Sequence, residues 1–262
     1  MPDLFIAFES DKPSSESLQC IHKAASMLAP DAEHLCDWHT NYARNHGTRL
    51  AFDLDVLKDR VQTGSNVLEL GSIPLVFTLA AAFSGYVITG CDINPARYAG
   101  AILKNKLTVA KCNIETDPLP FKNDSFDAIV FNELFEHLRI NPIFTLRETL
   151  RVLRPGGVLM LSSPNLRSVN GLINFLLWNR AHSCFADPYS EYQKLETLGH
   201  MGHVREYTTT EVTEFLEKIG FAITRLVYRG TYPTAGRRLL ARVAPKLRPF
   251  VSYIATKRAP GS

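Results

Sequence analysis

Asn66-Val-Leu-Glu-Leu70, closed by Gly71-Ser-Ile-Pro74, is the stretch on which the reading of this chain turns. Val67, Leu68 and Leu70 make a short, nearly continuous apolar run that ends in a glycine turn, the habit of a strand buried on both faces of a parallel sheet. A helix through Ala82 should follow, with Pro74 suited to its first turn. Beyond it the alternation repeats: strand 86–91 ending at Asp92, helix 95–105, strand 107–112, strand 126–131, helical pieces 133–138 and 142–153, and a strand opened by Gly156-Gly157 and running to Leu161. Thr208 with Glu211 three residues on has capping-box spacing and starts a helix that stops at Gly220. Two strands, 221–228 and 250–256, complete the pattern and flank a basic helical insert near 236–244. Towards the amino end, residues 14–60 read as helical and polar, with Leu50, Leu54, Leu57 and Val61 keeping one face towards a core. The order predicts an α/β, doubly wound, mostly parallel sheet covered on both faces, with its ligand at the carboxyl ends of the strands. Residues 1–60 are expected to form a helical cap. Residues 61–262 should form the main domain, with a lid insertion at 166–207 and a basic insertion at 231–249.

Composition sets the bounds. In 262 residues, 45% hydrophobic and 21% charged with 15 Gly and 15 Pro, the profile is that of a soluble globular protein and excludes disorder, collagen and coiled coil. The longest apolar runs, 4–8 and 172–178, fall far short of the roughly 18 residues that cross a bilayer. Asp3 and Glu9 precede the first basic residue, Lys12, which is unlike a secretion signal and makes the cytoplasm the expected location. Cys20, Cys36, Cys91, Cys112 and Cys184 form no CxxC pair and are odd in number, fitting neither a disulfide framework nor a zinc site. Charge is uneven: from Phe221 onward there are nine Lys or Arg and no acidic residue, whereas the remainder carries 20 basic against 26 acidic groups. Such a block suits phosphate, anionic lipid or an acidic glycan, or simply a solvated face.

Glu69-x-Gly71 at the end of the first long strand and Asp92 at the end of the next form a pair. A bare backbone turn accepts a ligand there and a carboxylate receives ribose hydroxyls. The dinucleotide fingerprint would require glycines at 73 and 76, where Ile73 and Val76 stand.

The series Val67-Leu-Glu-Leu-Gly71, Cys91-Asp-Ile-Asn94, Asn113-Ile-Glu115, Leu119-Pro-Phe121, Ser125-Phe-Asp127, Glu136-His-Leu138, Leu153-Arg-Pro-Gly-Gly157 and Lys218-Ile-Gly-Phe221 resembles the class I S-adenosylmethionine-dependent methyltransferases, in their order along the chain. The resemblance implies a Rossmann-like seven-stranded sheet with an antiparallel last strand and S-adenosylmethionine as cofactor. It implies further that Gly71 and Ser72, beside Glu69, lie by the methionine moiety, Asp92 holds the ribose, Ile93 packs on the adenine, Asn113 and Ile114 meet the adenine edge, and Asn132 and Glu133 border the methyl-donor pocket. The family usually continues with glycines where this chain has Ile73 and Leu75, side chains that narrow the room for the cofactor's amino acid portion.

Glu133, Glu136 and His137 stand at i, i+3 and i+4, which on a helix would share one face and point two carboxylates and an imidazole into the cleft. Mg or Mn would suit such donors, and a fourth ligand is expected from His203, with His200 second. Without metal, His137 or His203 is the candidate base for a hydroxyl attacking the sulfonium methyl in line. Glu133-x-x-Glu136-His137 followed by His203, with Ser163-Pro-Asn165 between, resembles the ubiquinone-pathway O-methyltransferases and the methyltransferases of the terminal ribose of small RNAs, which implies adjacent hydroxyls on the substrate. The openings and closings of the 42-residue segment 166–207 resemble bacterial methyltransferases found with glycan and lipopolysaccharide assembly; its Phe175, Trp178, Phe185, Tyr189 and Tyr192 suit stacking on sugars, quinones or bases, or a satellite core. Tyr42, His46 and Arg49 share a helical face that can close over the cofactor carboxylate.

The expected function is therefore S-adenosylmethionine-dependent O-methylation of a hydroxylated glycan or small molecule, with metal assistance left open. Alternatives are a quinone-type carbon methyltransferase and a non-catalytic binding module on the same fold. The basic insert, with Leu239, Leu240 and Val243 beside its arginines, suits peripheral contact with an anionic membrane on its inner face. No recognised RNA module accompanies it, so nucleic acid is not an expected partner.

Overall fold

The computed structural model describes residues 6–7, 12–197 and 202–258. His200, Asp3, Glu9 and most of the 4–8 run lie outside them. In chain order the described elements are β1 (Ile6–Ala7), α1 (Ser15–Met27), α2 (Cys36–Arg60), β2 (Asn66–Leu70), α3 (Val76–Phe83), β3 (Val87–Asp92), α4 (Ala99–Lys104), β4 (Thr108–Lys111), β5 (Phe126–Asn132), α5 (Pro142–Val152), β6 (Leu153–Pro164), α6 (Val169–Trp178), α7 (Pro188–Thr197), α8 (Thr209–Ile219), β7 (Phe221–Arg229), α9 (Ala235–Val243) and β8 (Phe250–Lys257). The strands follow the order β1-β7-β8-β6-β5-β2-β3-β4. The seven expected strands are all present, the last one antiparallel to its predecessor, and the two-residue β1 adds an eighth beside β7.

Two compact units divide the chain, Lys12–Val130 with Arg151–Val158, and Phe131–Leu150 with Leu159–Ser262 and Met1–Asp11. In the first unit β2 pairs in parallel with β3 on one side, Leu70 opposite Cys91, and with β5 on the other, Leu68 opposite Ile129. Because β4 lies beyond β3 and β5 returns to the far side of β2, the chain reverses direction across the sheet at β2, which is where such sheets hold ligands. Burial explains the apolar run: Val67, Leu68 and Leu70 are at most 2% exposed. Helix α3 is apolar all round, and Val76 to Ala81 are all buried, because β3 packs on one side of it and α1 and α2 on the other. Ser14 fixes the start of α1, accepting from Ser17 N at 3.1 Å while its own N–H and hydroxyl donate to Asp55 of α2 at 2.6 Å. The cap helices thus form part of the core of this unit.

In the second unit β7 and β8 run antiparallel from the Phe221–Lys257 pair to the Arg229–Phe250 pair. Thr208 and Glu211 close the expected capping box of α8. Within 166–207, α6 packs on α9 of the basic insertion around Val169, Tyr232 and Ala241, with Ile173 and Leu247 at the edge.

Three local expectations need correction. Pro74 is not in the first turn of a helix; it sits in the turn that Leu75 N closes onto Ser72 O at 2.6 Å, and α3 starts at Val76. The helix expected over 95–105 is a 3-10 turn, Pro95–Tyr98, followed by α4. The helix expected over 133–138 is a single 3-10 turn, Phe135–His137. Glu133 N still donates to Ser162 O of β6 at 2.9 Å and Glu133 has φ 49°, so the chain leaves the sheet only after it, and one turn fits before α5.

Candidate functional site

In the first unit the residues expected to meet a cofactor gather at the carboxyl ends of three adjacent parallel strands. Gly71, at φ 70°, makes the turn after β2, and both Gly71 N and Ser72 N donate to Cys91 O of β3, at 2.8 and 3.2 Å. A side chain there would be strained, which accounts for the glycine. Gly90 has a spatial reason as well: a Cβ on it would stand 2.6 Å from Ser72 Oγ. Asp92, at the end of β3, accepts from Ile73 N at 3.1 Å through one carboxylate oxygen and from Asn94 N at 2.8 Å through the other. Burial raises its carboxyl above the ordinary range, and these amide donors oppose that rise. Ile93 is half-buried beside it. Cys112 N, just past β4, donates to Asp92 O at 3.0 Å, so the turn opened by Asn113 and Ile114, both half-buried, follows directly.

Glu69 lines the same turn and is also tied to α3. Its Oε2 accepts from Thr78 of α3, and burial, with Asp92 and Asp53 nearby, pushes its carboxyl up to about 8. It is therefore mostly neutral at pH 7 and acts as a hydrogen-bonded support under the turn. A shallow cleft opens here, lined by Tyr42, Glu69, Gly71, Ser72, Ile73 and Phe77 among others. Tyr42 is flanked by His46, ring centroids 4.6 Å apart, and by Arg49, whose guanidinium reaches the Tyr42 hydroxyl at 3.4 Å. Ile73 and Leu75 separate: Ile73 is half-buried in the cleft wall, whereas Leu75 is fully buried in the core at φ 69°. Leu75 therefore takes no room from a ligand, and the narrowing expected from both residues comes from Ile73.

The fit to S-adenosylmethionine can be tested on these atoms. Ser72 Oγ is buried with no hydrogen-bond partner, an orphan that a ligand's polar group would satisfy. Besides its backbone donors the Asp92 carboxylate keeps acceptor capacity for a ribose hydroxyl. The residues fit the cofactor.

In the second unit Glu136, His137 and His203 come together, their ligand atoms within 4.8 Å of one another. His137 Nδ1 donates to Gly202 O at 2.9 Å, which leaves Nε2 with its lone pair free to accept. The two imidazoles meet edge to face, centroids 4.6 Å apart. Burial, reinforced by His203, holds His137 down at about 4, and burial also lowers His203, so both rings are neutral at pH 7. Glu133, expected to be a metal ligand on the same helical face, is instead drawn to Arg229 at 3.1 Å and to the Ser162 hydroxyl at 2.8 Å. The helical premise fails there, because the only helical turn is Phe135–His137 and Glu133, at φ 49°, precedes it. Asn132, at the end of β5, has a buried Nδ2 with no hydrogen-bond partner.

A carboxylate with two imidazoles is a donor set better matched to Mn than to Mg, which prefers oxygen throughout. Mn fits these residues; Mg fits them less well. Beside the trio Cys184 donates to Glu206 at 3.1 Å and lies 3.5 Å from His203 Nδ1, and Glu191 of α7 accepts from His203 N at 2.9 Å. Sequence reasoning missed Cys184, Glu206, Glu191 and Arg229. Cys184 and Glu206 sit on irregular segments, Glu191 on the short helix α7 and Arg229 within a basic block that reads as solvated, and no periodicity points any of them at His203.

Residues 21–226 match the methyltransferase domain family. A probable S-adenosylmethionine-dependent methyltransferase of Mycolicibacterium smegmatis is 30% identical over 105 residues, 40% of this chain and 32% of that protein. The match therefore spans about a third of that relative's length. Among solved structures, an S-adenosylmethionine-dependent methyltransferase of Thermotoga maritima, described as a possible histamine N-methyltransferase, superposes with a TM-score of 0.55 at 19% identity, over 86% of this chain and 97% of that one. One from Archaeoglobus fulgidus gives 0.55 at 16% identity over 82% and 99%. Phosphoethanolamine N-methyltransferase 2 of Haemonchus contortus, solved with S-adenosyl-L-methionine, gives 0.54 at 16% identity over 79% and 52%. At these identities the structures speak for the fold.

Proposed function

Because the chain belongs to the class I S-adenosylmethionine-dependent methyltransferases, we propose that it transfers a methyl group to a hydroxyl of a glycan or related small molecule in the cytoplasm. The observation that supports cofactor use most directly is the Gly71 turn at φ 70°, with the orphaned Ser72 hydroxyl on one side and Asp92 on the other. S-adenosylmethionine supplies an electrophilic methyl group when bound. Asp92 accepts a ribose hydroxyl and Ser72 meets the polar end of the methionine portion. Tyr42 and Ile73 shield that corner from water.

For the acceptor, His137, held by Gly202 O and packed edge to face on His203, orients that neutral imidazole so that the hydroxyl donates its one proton in a hydrogen bond to His203. His203 takes the proton as the new bond forms. Alignment carries most of the rate. With Mn held by Glu136, His137 and His203, the acceptor hydroxyl would lose its proton more readily.

Calorimetric titration with S-adenosylhomocysteine tests the reading, on wild type and Asp92→Ala, followed by a glycan acceptor screen with Mn or with chelator. Micromolar binding that weakens at least about tenfold in Asp92→Ala is expected, given that a charge-assisted hydrogen bond contributes about 1.5–3 kcal/mol. Activity should be lost in His203→Ala. Absence of binding by the wild type would leave a non-catalytic module on this fold, and chelator-insensitive activity would remove the metal.

A further inference from the structure

We propose that the outer faces of α6 and α9 together form a docking surface for an anionic lipid bilayer. Helix α9 is amphipathic in the reverse sense to a covering helix. Ala241 faces the protein, while Leu239, Leu240 and Val243 are 62%, 52% and 79% exposed in one stripe. Helix α6, packed against it, carries Phe175, Leu176, Leu177 and Trp178, between 59% and 73% exposed. Seven large apolar side chains on two touching helices exceed the scatter of single exposed residues normal on a soluble surface.

Charge selects the occupant. No acidic residue occurs between 166 and 186 or from 221 to the end of the chain. Arg180 follows α6, and Arg242 and Lys246 flank the α9 stripe, all three exposed. Arg237 and Arg238 are spent on fixing α9 in place, Arg237 donating to Asn170 at 2.9 Å and Arg238 to the carbonyls of Tyr232 and Pro233 at 3.2 and 2.7 Å. A second copy of the chain would set like charges against each other in a two-fold contact. An anionic bilayer instead takes the leucines and Trp178 into its interface while Arg180, Arg242 and Lys246 meet headgroup phosphates. The helices are nine and ten residues long, and no described helix is long and apolar enough to cross a membrane, so the contact is peripheral. This inference is independent of the methyl-transfer reading.

The chain has two tryptophans, so Trp38→Phe leaves Trp178 as a fluorescent reporter. The probe is vesicles of phosphatidylcholine containing about one-third phosphatidylglycerol, compared with pure phosphatidylcholine. The expected result is a blue shift of Trp178 on the anionic vesicles, reversed by salt. Arg242→Ala with Lys246→Ala should weaken partitioning roughly tenfold or more, since each basic residue near the surface contributes about 1 kcal/mol. Leu240→Glu with Val243→Glu should abolish the shift, and because both side chains are exposed the fold should survive, as a thermal melt would report. Equal partitioning to neutral and anionic vesicles, or no shift with either, would overturn the proposal. So would a dimer in sedimentation that Leu240→Glu with Val243→Glu dissolves without any vesicle binding in the wild type.

Discussion

Arg229 Nη2 lies 3.1 Å from Glu133 Oε1, with the two side chains only 6% and 9% exposed. Arg229 also donates through Nε to Ser252 at 2.7 Å, and the Ser162 hydroxyl donates to Glu133 at 2.8 Å, so three strands contribute to one buried polar knot. Glu133 is thereby fixed at positive φ just before Glu136 and His137, and the knot sets where those two residues emerge. A buried pair of this kind is weak evidence of net stability, because desolvation offsets most of the attraction. Breaking it from one side is another matter.

Arg229→Met should therefore destabilise the protein by about 3–5 kcal/mol, because it leaves Glu133 buried without its countercharge. Adding Glu133→Gln should restore most of that loss. Urea unfolding of the two variants checks this, and a double variant as unstable as the single one would refute the account.

Stability should also fall with rising pH on account of Glu69. Its carboxyl, ordinarily at 4.5, is pushed up to about 8 in the folded protein, so the folded state holds a proton that the unfolded state has released. The favourable contribution is complete below pH 4.5 and is lost as pH passes 8. Glu69→Gln cannot ionise, so its melting temperature relative to wild type should be higher at about pH 8.5 than at about pH 5. Thermal melts across that range decide it; a difference that does not grow with pH would mean Glu69 is charged throughout.

Ile73 and Leu75 should respond differently to truncation. Ile73→Gly opens the cleft wall and keeps the amide that donates to Asp92, so S-adenosylhomocysteine should bind several-fold tighter with little change in stability. Leu75→Gly relieves a positive φ worth about 1–2 kcal/mol but empties a fully buried site worth about 2–5 kcal/mol. Net destabilisation with unchanged ligand affinity is expected, measured by melting and calorimetry on the same samples. Weaker ligand binding in Ile73→Gly would show that the isoleucine holds the turn open.

Thr208→Ala should cost about 1 kcal/mol by removing the cap of α8, where the Thr208 hydroxyl accepts from Glu211 N at 3.3 Å and Thr208 N donates to Glu211 at 2.8 Å. Chemical denaturation measures it. A loss of less than a few tenths would mean that packing of Val212 and Leu216 alone starts the helix.

The strands around the Gly71 turn were legible because burial on both faces leaves its mark residue by residue, as in Val67-Leu-Glu-Leu70. Capping at Thr208 was legible for a local reason: its two partners are three residues apart. The segment after β5 was not. Six residues with i, i+3 and i+4 spacing fit a helix on paper, but the hydrogen bond from Glu133 N to Ser162 O lies 29 positions away in the chain, and it decides where the strand ends. The same holds for the polar neighbours of His203: Cys184 and Glu206 are brought there by irregular backbone, to which no periodicity applies, and Glu191 by a short helix whose partner lies outside it. Arg229 was hidden in a basic tail, since composition cannot tell a guanidinium in water from one paired inside the protein.

Helix α3 sets a lower limit on how far this fold can be trimmed. Over Val76–Ala81 this helix is buried throughout, and α1 and α2 are its roof. A fragment of this chain that began at Asn66 would expose the apolar face of α3 that α1 and α2 cover. The segment between α1 and α2 is tied in as well, since Asp31 N donates to Arg97 O at 2.9 Å and the Asp31 carboxylate accepts from Gly100 N.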